Sequence, residues 1–326
     1  MQKKIKKDVI ETIRELGEGT NIEGSGRRKL WDLLKKKFPK NSIAVPVGKR
    51  DGSGKMVTNH EDLKHLYLTT YEHRLRNRPI KEDLSDIKDL KDELFNIRLK
   101  IASENKSKDW EMNDLEAALK ALKKEKARDP HGWINELFRY EVAGNNLKLS
   151  LLHMFNKMKK ANEIPEFVRL ADISTIYKGK GPKNELINER GIFVVMILRN
   201  ILMKLIYFDY YSILDKSMSD SQVGARKNKN IRNHIWIVNG VISDIVSAKS
   251  KKPVDIQIFD FKQCFDSLWV QECMNDFYSA GFNDDKFALL YNMNKSVNIA
   301  IRTPDKSLAM LSHKAMFLRR YCAASR

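Results

Sequence analysis

Residues 254–266 read Val-Asp-Ile-Gln-Ile-Phe-Asp-Phe-Lys-Gln-Cys-Phe-Asp. Val254, Ile256 and Ile258 alternate with Asp255 and Gln257, which predicts a half-buried strand carrying Asp260 at its C-terminal end. A carboxylate held at a strand end suits a metal ion. Five residues on, Phe265 offers a flat apolar surface. Asp266-Ser267 then reads as the cap of a helix whose Trp269, Cys273, Phe277 and Ala280 share a face until Gly281 stops it.

Working outward, the composition bounds what such a segment can serve. The chain has 326 residues, 42% hydrophobic and 31% charged, which excludes a disordered composition. No apolar run approaches the roughly 20 residues of a membrane span. The formal net charge is +18, spread along the sequence, and the pI is about 9.6. A field of that sign favours a polyanionic partner, nucleic acid first, although a basic surface also suits a lipid headgroup. Cys264, Cys273 and Cys322 have neither metal-ligand spacing nor even pairing, the pattern of reduced packing residues in an intracellular compartment, nuclear or cytoplasmic. The start Met1-Gln2-Lys3-Lys4 carries no secretory signal, and Lys35-Lys36-Lys37 reads as a solvated helix face before it reads as a localisation signal.

Residues 1–40 predict two short amphipathic helices with basic outer faces, around Val9 to Leu16 and around Leu30 to Phe38. Residues 44–47 and 56–58, either side of Asp51-Gly52-Ser53-Gly54, predict a small hairpin. Asn59 then caps a helix through Leu63, Leu66, Tyr67 and Tyr71, and residues 80–108 predict a linker helix without chemistry. Asn113 and Glu116 have the spacing of a capping box for a helix whose Leu115, Ala118, Leu119 and Leu122 form one apolar face. A sharp turn follows at Asp129-Pro130-His131-Gly132. Residues 147–170 predict a helix with Leu149, Leu152, Phe155 and Met158 on one side. Next come a strand to Tyr177, the cationic loop Lys178-Gly179-Lys180-Gly181-Pro182-Lys183, and a strand Asn188–Val194. Such a loop can hold a phosphate but lacks the spacing of a P-loop. An apolar packing helix over 197–216, a helix from Ile231 to Val246 and a strand through Val297, Ile299 and Ile301 complete the prediction.

Phe259-Asp260-Phe261-Lys262-Gln263-Cys264-Phe265-Asp266 resembles the first catalytic block of reverse transcriptases from non-long-terminal-repeat retrotransposons. Three further blocks are similar to that family in the same order. They are Lys126-Ala127 with its turn and apolar helix, the 173–194 hairpin, and Gln222-Val223-Gly224-Ala225-Arg226-Lys227. The chain departs from the family's pattern at Arg128-Asp129, at His131 and at Gly191, where proline is usual. Telomerase-type and group II intron polymerases share a similar first block and stand as alternative relatives.

The resemblance implies that Asp260 is catalytic and binds magnesium, that Phe265 lies under the sugar of the incoming nucleotide, that Lys178 and Arg190 hold its triphosphate, and that Arg226 and Lys227 approach the template. It also implies further carboxylates, since two-metal nucleotidyl transfer holds two cations roughly 3.5–4 Å apart. In the family these sit on a later hairpin as an Asp-Asp pair preceded by a Gln-Gly block, and residues 307–326 contain neither. Phe282-Asn283-Asp284-Asp285 looks like that pair but reads as the start of a helix through Phe287, Leu290 and Tyr291. The expected fold is α+β, a partial right-hand polymerase with fingers and an incomplete palm. Its expected parts are a basic, mainly helical N-terminal and linker region (1–110), a fingers-like part (111–252) and the incomplete palm (253–326). The expected function is RNA-directed DNA synthesis from deoxynucleoside triphosphates, with an RNA template, a DNA primer or target, magnesium and no membrane, in an incomplete and inactive copy. A non-enzymatic nucleic-acid-binding protein is the second reading.

Overall fold

The computed structural model describes residues 48–75, 85–224, 226–247, 257, 259, 270–295, 297–302 and 308–313. The chain divides into a unit over residues 1–46 and a unit over residues 47–326. The first, with both expected N-terminal helices, lies outside the described residues. The second is α+β, mostly helical with small sheets.

A two-stranded hairpin opens it, β1 (Lys49–Arg50) pairing antiparallel with β2 (Met56–Val57). Its first strand lies beyond the expected 44–47. Asp51 makes the turn, its Oδ1 accepting from the Ser53 amide (2.9 Å), the Ser53 hydroxyl (2.7 Å) and the Lys55 amide (3.0 Å). Helix α1 (His60–Leu75) begins as expected, with Asn59 Oδ1 accepting the Glu61 N–H at 2.9 Å. Leu63, Tyr67 and Tyr71, four residues apart, form its buried stripe.

The next elements are α2 (Ser85–Glu104), α3 (Met112–Lys120) and α4 (Asn145–Ala161). The capping box of α3 is not Asn113 and Glu116. Glu111 is the N-cap, and its N–H donates to Asp114 Oδ2 at 2.8 Å. The expected apolar face of α3 is buried as read: Leu115, Ala118, Leu119 and Leu122 are all inside. The face of α4 is rotated from the expected one. Leu149 is 57% exposed, while Lys148 and Lys159 join Leu151, Phe155 and Met158 inside. These lysines have partners there. Lys159 Nζ donates to the carbonyls of Ser107 (3.1 Å) and Lys108 (2.7 Å), and Lys148 Nζ lies 3.9 Å from the centre of the Tyr140 ring.

Strand β3 (Leu170–Tyr177) pairs antiparallel with β4 (Glu189–Val195), the expected hairpin. Helix α5 (Ile197–Ser217) runs through the core, and α6 (Ile231–Ser247) follows with no buried residue, its Trp236 80% exposed. Helices α7 (Val270–Ser279) and α8 (Asp285–Lys295) meet at Gly281, whose φ of 110° suits glycine. Strand β5 (Val297–Arg302) pairs parallel with β3, and β6 (Leu308–His313), which the sequence did not predict, pairs antiparallel with β5. The sheet order is β4-β3-β5-β6.

Two apolar clusters hold these elements. The larger joins α2, α3, α4, α5, α7 and α8 through Phe95, Leu119, Phe155, Ile201, Phe277 and Phe287. The smaller sets Tyr67 and Tyr71 of α1 against Ala171, Ile173, Val297, Ile299 and Ile301, so α1 covers one face of the sheet. Gly191 permits that approach. A Cβ there would stand 2.8 Å from the Tyr71 ring and 3.1 Å from Ile173.

Candidate phosphate and nucleic-acid interface

Strand alternation decides which hairpin residues meet α1 and which face away. Glu189 and Gly191 lie on the covered side, buried. Arg190, opposite Ile176 in the ladder, lies on the other side with Ile192, and all three are exposed. Lys178 follows Tyr177 just beyond the last pair of the ladder, and its N–H donates to the Asn188 carbonyl at 2.8 Å. The two triphosphate candidates are thus both exposed at the loop end of the hairpin. Lys178 Nζ rests on the Ile187 carbonyl at 2.5 Å.

The loop between the strands is held by its carbonyl groups. Gly181 O accepts from the Tyr177 hydroxyl (2.5 Å), Pro182 O from Asn188 Nδ2 (2.9 Å), Lys183 O from Lys49 Nζ (2.8 Å) and Asn184 O from the Arg50 N–H (2.7 Å). Four consecutive carbonyls are therefore occupied by donors from the hairpin and its neighbour β1. Lys180 and Arg50 are exposed, and Lys183 Nζ lies 5.5 Å from the centre of the Tyr177 ring. Below them Lys49, fully buried, pairs with the carboxylate of Glu189, which also accepts from the Tyr67 hydroxyl at 3.3 Å. Burial, with the Glu189 charge added, pushes the Tyr67 phenol well above its ordinary pKa. The acid inside is neutralised, and the cations outside give the hairpin tip a positive field.

Arg226 and Lys227 separate. Arg226 is only 8% exposed, its Nε 2.9 Å from Asp215 Oδ1, its Nη1 donating to the carbonyls of Ser219 (2.8 Å) and Gln222 (3.3 Å), and its Nη2 to Asp215 O (3.1 Å). It fastens the turn after α5 to the helix end, and its hydrogen bond holds the Asp215 carboxyl below the usual range. Lys227 is exposed, with its backbone N–H on the Tyr211 hydroxyl at 3.0 Å. Of this pair it is the cation turned outward.

Asp260 and Phe265 lie outside the described residues. Among the described residues no three His, Cys, Asp or Glu side chains cluster as metal ligands. The Asp284-Asp285 pair is occupied as its helical reading requires. Asp284 Oδ1 accepts the Lys286 N–H at 3.0 Å and bonds the Tyr210 hydroxyl, and buried Asp285 takes the Ser107 hydroxyl at 2.5 Å. Of the expected site residues, Lys178, Arg190, Arg226 and Lys227 are among the described ones.

Three buried polar residues of this region escaped the sequence reading: Lys49, Glu189 and Asp172. Asp172 is 4% exposed and sits opposite Ala300, on the side of the sheet away from α1. The period-2 pattern that places Arg190 outward also places Glu189 inward, so that one signal was available. Nothing in the sequence marks Lys49 as buried, since lysine is almost never fully buried without a partner, and its partner is 140 residues away.

No protein-family model matches the chain, and no curated protein is significantly similar to it. None of the described helices is long and apolar enough to cross a membrane.

Proposed function

We propose that the chain is a relative of the retrotransposon reverse transcriptases that binds nucleic acid and nucleoside triphosphate, and that residues 1–326 by themselves bind without polymerising. The observation that supports this most is the β3–β4 hairpin, which leaves Lys178 and Arg190 exposed at its loop end while four consecutive loop carbonyls are bound by donors of the hairpin and β1. Phosphate oxygens would meet two cationic side chains there. A guanidinium and an ammonium at one hairpin end match a polyphosphate in charge, the first as a fork of donors and the second as a point charge. Lys227, together with the net charge of +18, supplies the sequence-independent attraction to a nucleic-acid backbone.

In this reading Asp260 is the metal-binding carboxylate and Phe265 the residue under the sugar. Magnesium, when bound, would activate a 3′-hydroxyl and steady pyrophosphate. The described residues orient phosphate only. Binding of a deoxynucleoside triphosphate to the full chain, with and without Arg190→Ala, tests the proposal. Loss of one charge-assisted contact is expected to weaken binding about tenfold. Magnesium-dependent primer extension by the pure chain would contradict the non-polymerising part. Nucleic-acid binding with no triphosphate binding would favour the purely non-enzymatic binder.

A further inference from the structure

We infer that the buried Lys49–Glu189–Tyr67 network is a positioning device for the phosphate-binding hairpin, set from the small β1–β2 hairpin that precedes the sheet. This rests on the phosphate reading of Lys178 and Arg190.

Lys49 is fully buried, and its ammonium ties the end of the cationic loop to the strand that follows it. One bond goes to the carbonyl of Lys183, where the loop ends, and the other to the carboxylate of Glu189, the first residue of β4. Each bond sets something on the opposite side. Because successive side chains in a strand alternate, holding Glu189 against Lys49 and Tyr67 holds Arg190 on the outer face. Because the peptide group is planar and trans, turning the Lys183 carbonyl inward turns the Asn184 N–H outward. The loop contains two left-handed glycines, Gly179 (φ 80°) and Gly181 (φ 75°), whose freedom has to be restrained elsewhere.

The network also has an electrostatic effect. Glu189 is the neighbour of Arg190 in the chain, and its unneutralised charge would repel a phosphate. Lys49 cancels it from inside, where salt screens least. An apolar join would hold the hairpins together as well and avoid burying charge, so mere attachment does not account for the ion pair.

The test uses the full chain and inorganic tripolyphosphate as probe, measured by calorimetric titration, with amide hydrogen exchange as a second readout. Lys49→Met is expected to weaken tripolyphosphate binding about tenfold, as Arg190→Ala does, since each removes one charge-assisted bond from the arrangement. It should speed exchange of the 183–190 amides and leave those of α5 unchanged. Lys49→Arg should restore most of the affinity. Tyr67→Phe, a milder change should Lys49→Met fail to fold, should lose about twofold, with faster exchange in the same segment. Wild-type binding that Arg190→Ala weakens but Lys49→Met and Tyr67→Phe leave intact would overturn the positioning role alone. Absence of tripolyphosphate binding by the wild type would overturn the phosphate reading itself.

Discussion

Arg190 and Arg226 were both expected to meet phosphate, and they occupy opposite kinds of place. Arg190 stands on β4, exposed, on the side of the sheet away from α1. Arg226 is folded into a turn, with three carbonyls and one carboxylate around its guanidinium. The difference lies in the backbone around them. In the β3–β4 ladder the strands satisfy one another's polar groups, so an arginine side chain on that ladder is left for the outside. The irregular turn after α5 has no ladder. Its carbonyls need donors, and one guanidinium carries five N–H groups. A motif that reads as template-binding can therefore be the motif that builds the turn presenting the next residue, here Lys227.

The sharpest way to break the ladder side of this comparison is Gly191→Ala. Its Cβ would press on the Tyr71 ring, so either α1 or β4 must shift, and a loss of about 1–3 kcal/mol in stability is expected by chemical denaturation. If the variant is as stable as the wild type, the close packing that orients β4 is not there. Next in size, Arg226→Ala is expected to lower the melting temperature and expose residues 215–226 to protease, while Arg190→Ala changes neither.

The smallest expected effect is one of pH. The Arg226 hydrogen bond depresses the Asp215 pKa, so the stabilisation it brings is present above the unfolded carboxylate value of about 3.9 and is lost as pH falls through the lower folded value. Wild type should melt above Asp215→Asn at neutral pH, and the gap should close below about pH 4. A gap that persists at low pH would contradict the ion pair.

How far the sequence could be read follows the same division. Elements with local signals were legible: the Asn59 cap, the Leu63-Tyr67-Tyr71 stripe, the β3–β4 hairpin, alternation in β5, and the helix start at Asp284. Signals that compete locally were misread. Glu111 with Asp114 and Asn113 with Glu116 have the same capping spacing, and the helix starts at the first. On α4 a pattern that counts only apolar residues missed Lys148 and Lys159, whose charges find partners elsewhere in the chain, Glu116 on α3 and the Lys108 carbonyl. Strand β6, Leu-Ala-Met-Leu-Ser-His, has no clean alternation and is defined by the edge that β5 offers. The parallel pairing of β3 with β5 joins residues more than a hundred positions apart, and no local pattern encodes it. The same holds for Arg199, fully buried on α5 beside Asn294, with two of its guanidinium nitrogens unpartnered among the described residues.

The central claim, that Arg190 and Lys178 face phosphate while Arg226 faces the chain, is tested most directly by the salt dependence of tripolyphosphate binding. Salt screens exposed charges far more than buried pairs, so the affinities of wild type, Arg190→Ala, Lys178→Ala and Arg226→Ala at low and high salt separate the cations that face the ligand from those that do not. The expected result is weaker binding with a smaller further loss on adding salt for Arg190→Ala and for Lys178→Ala, and wild-type behaviour for Arg226→Ala. Weakened binding by Arg226→Ala with wild-type binding by the other two would contradict the account.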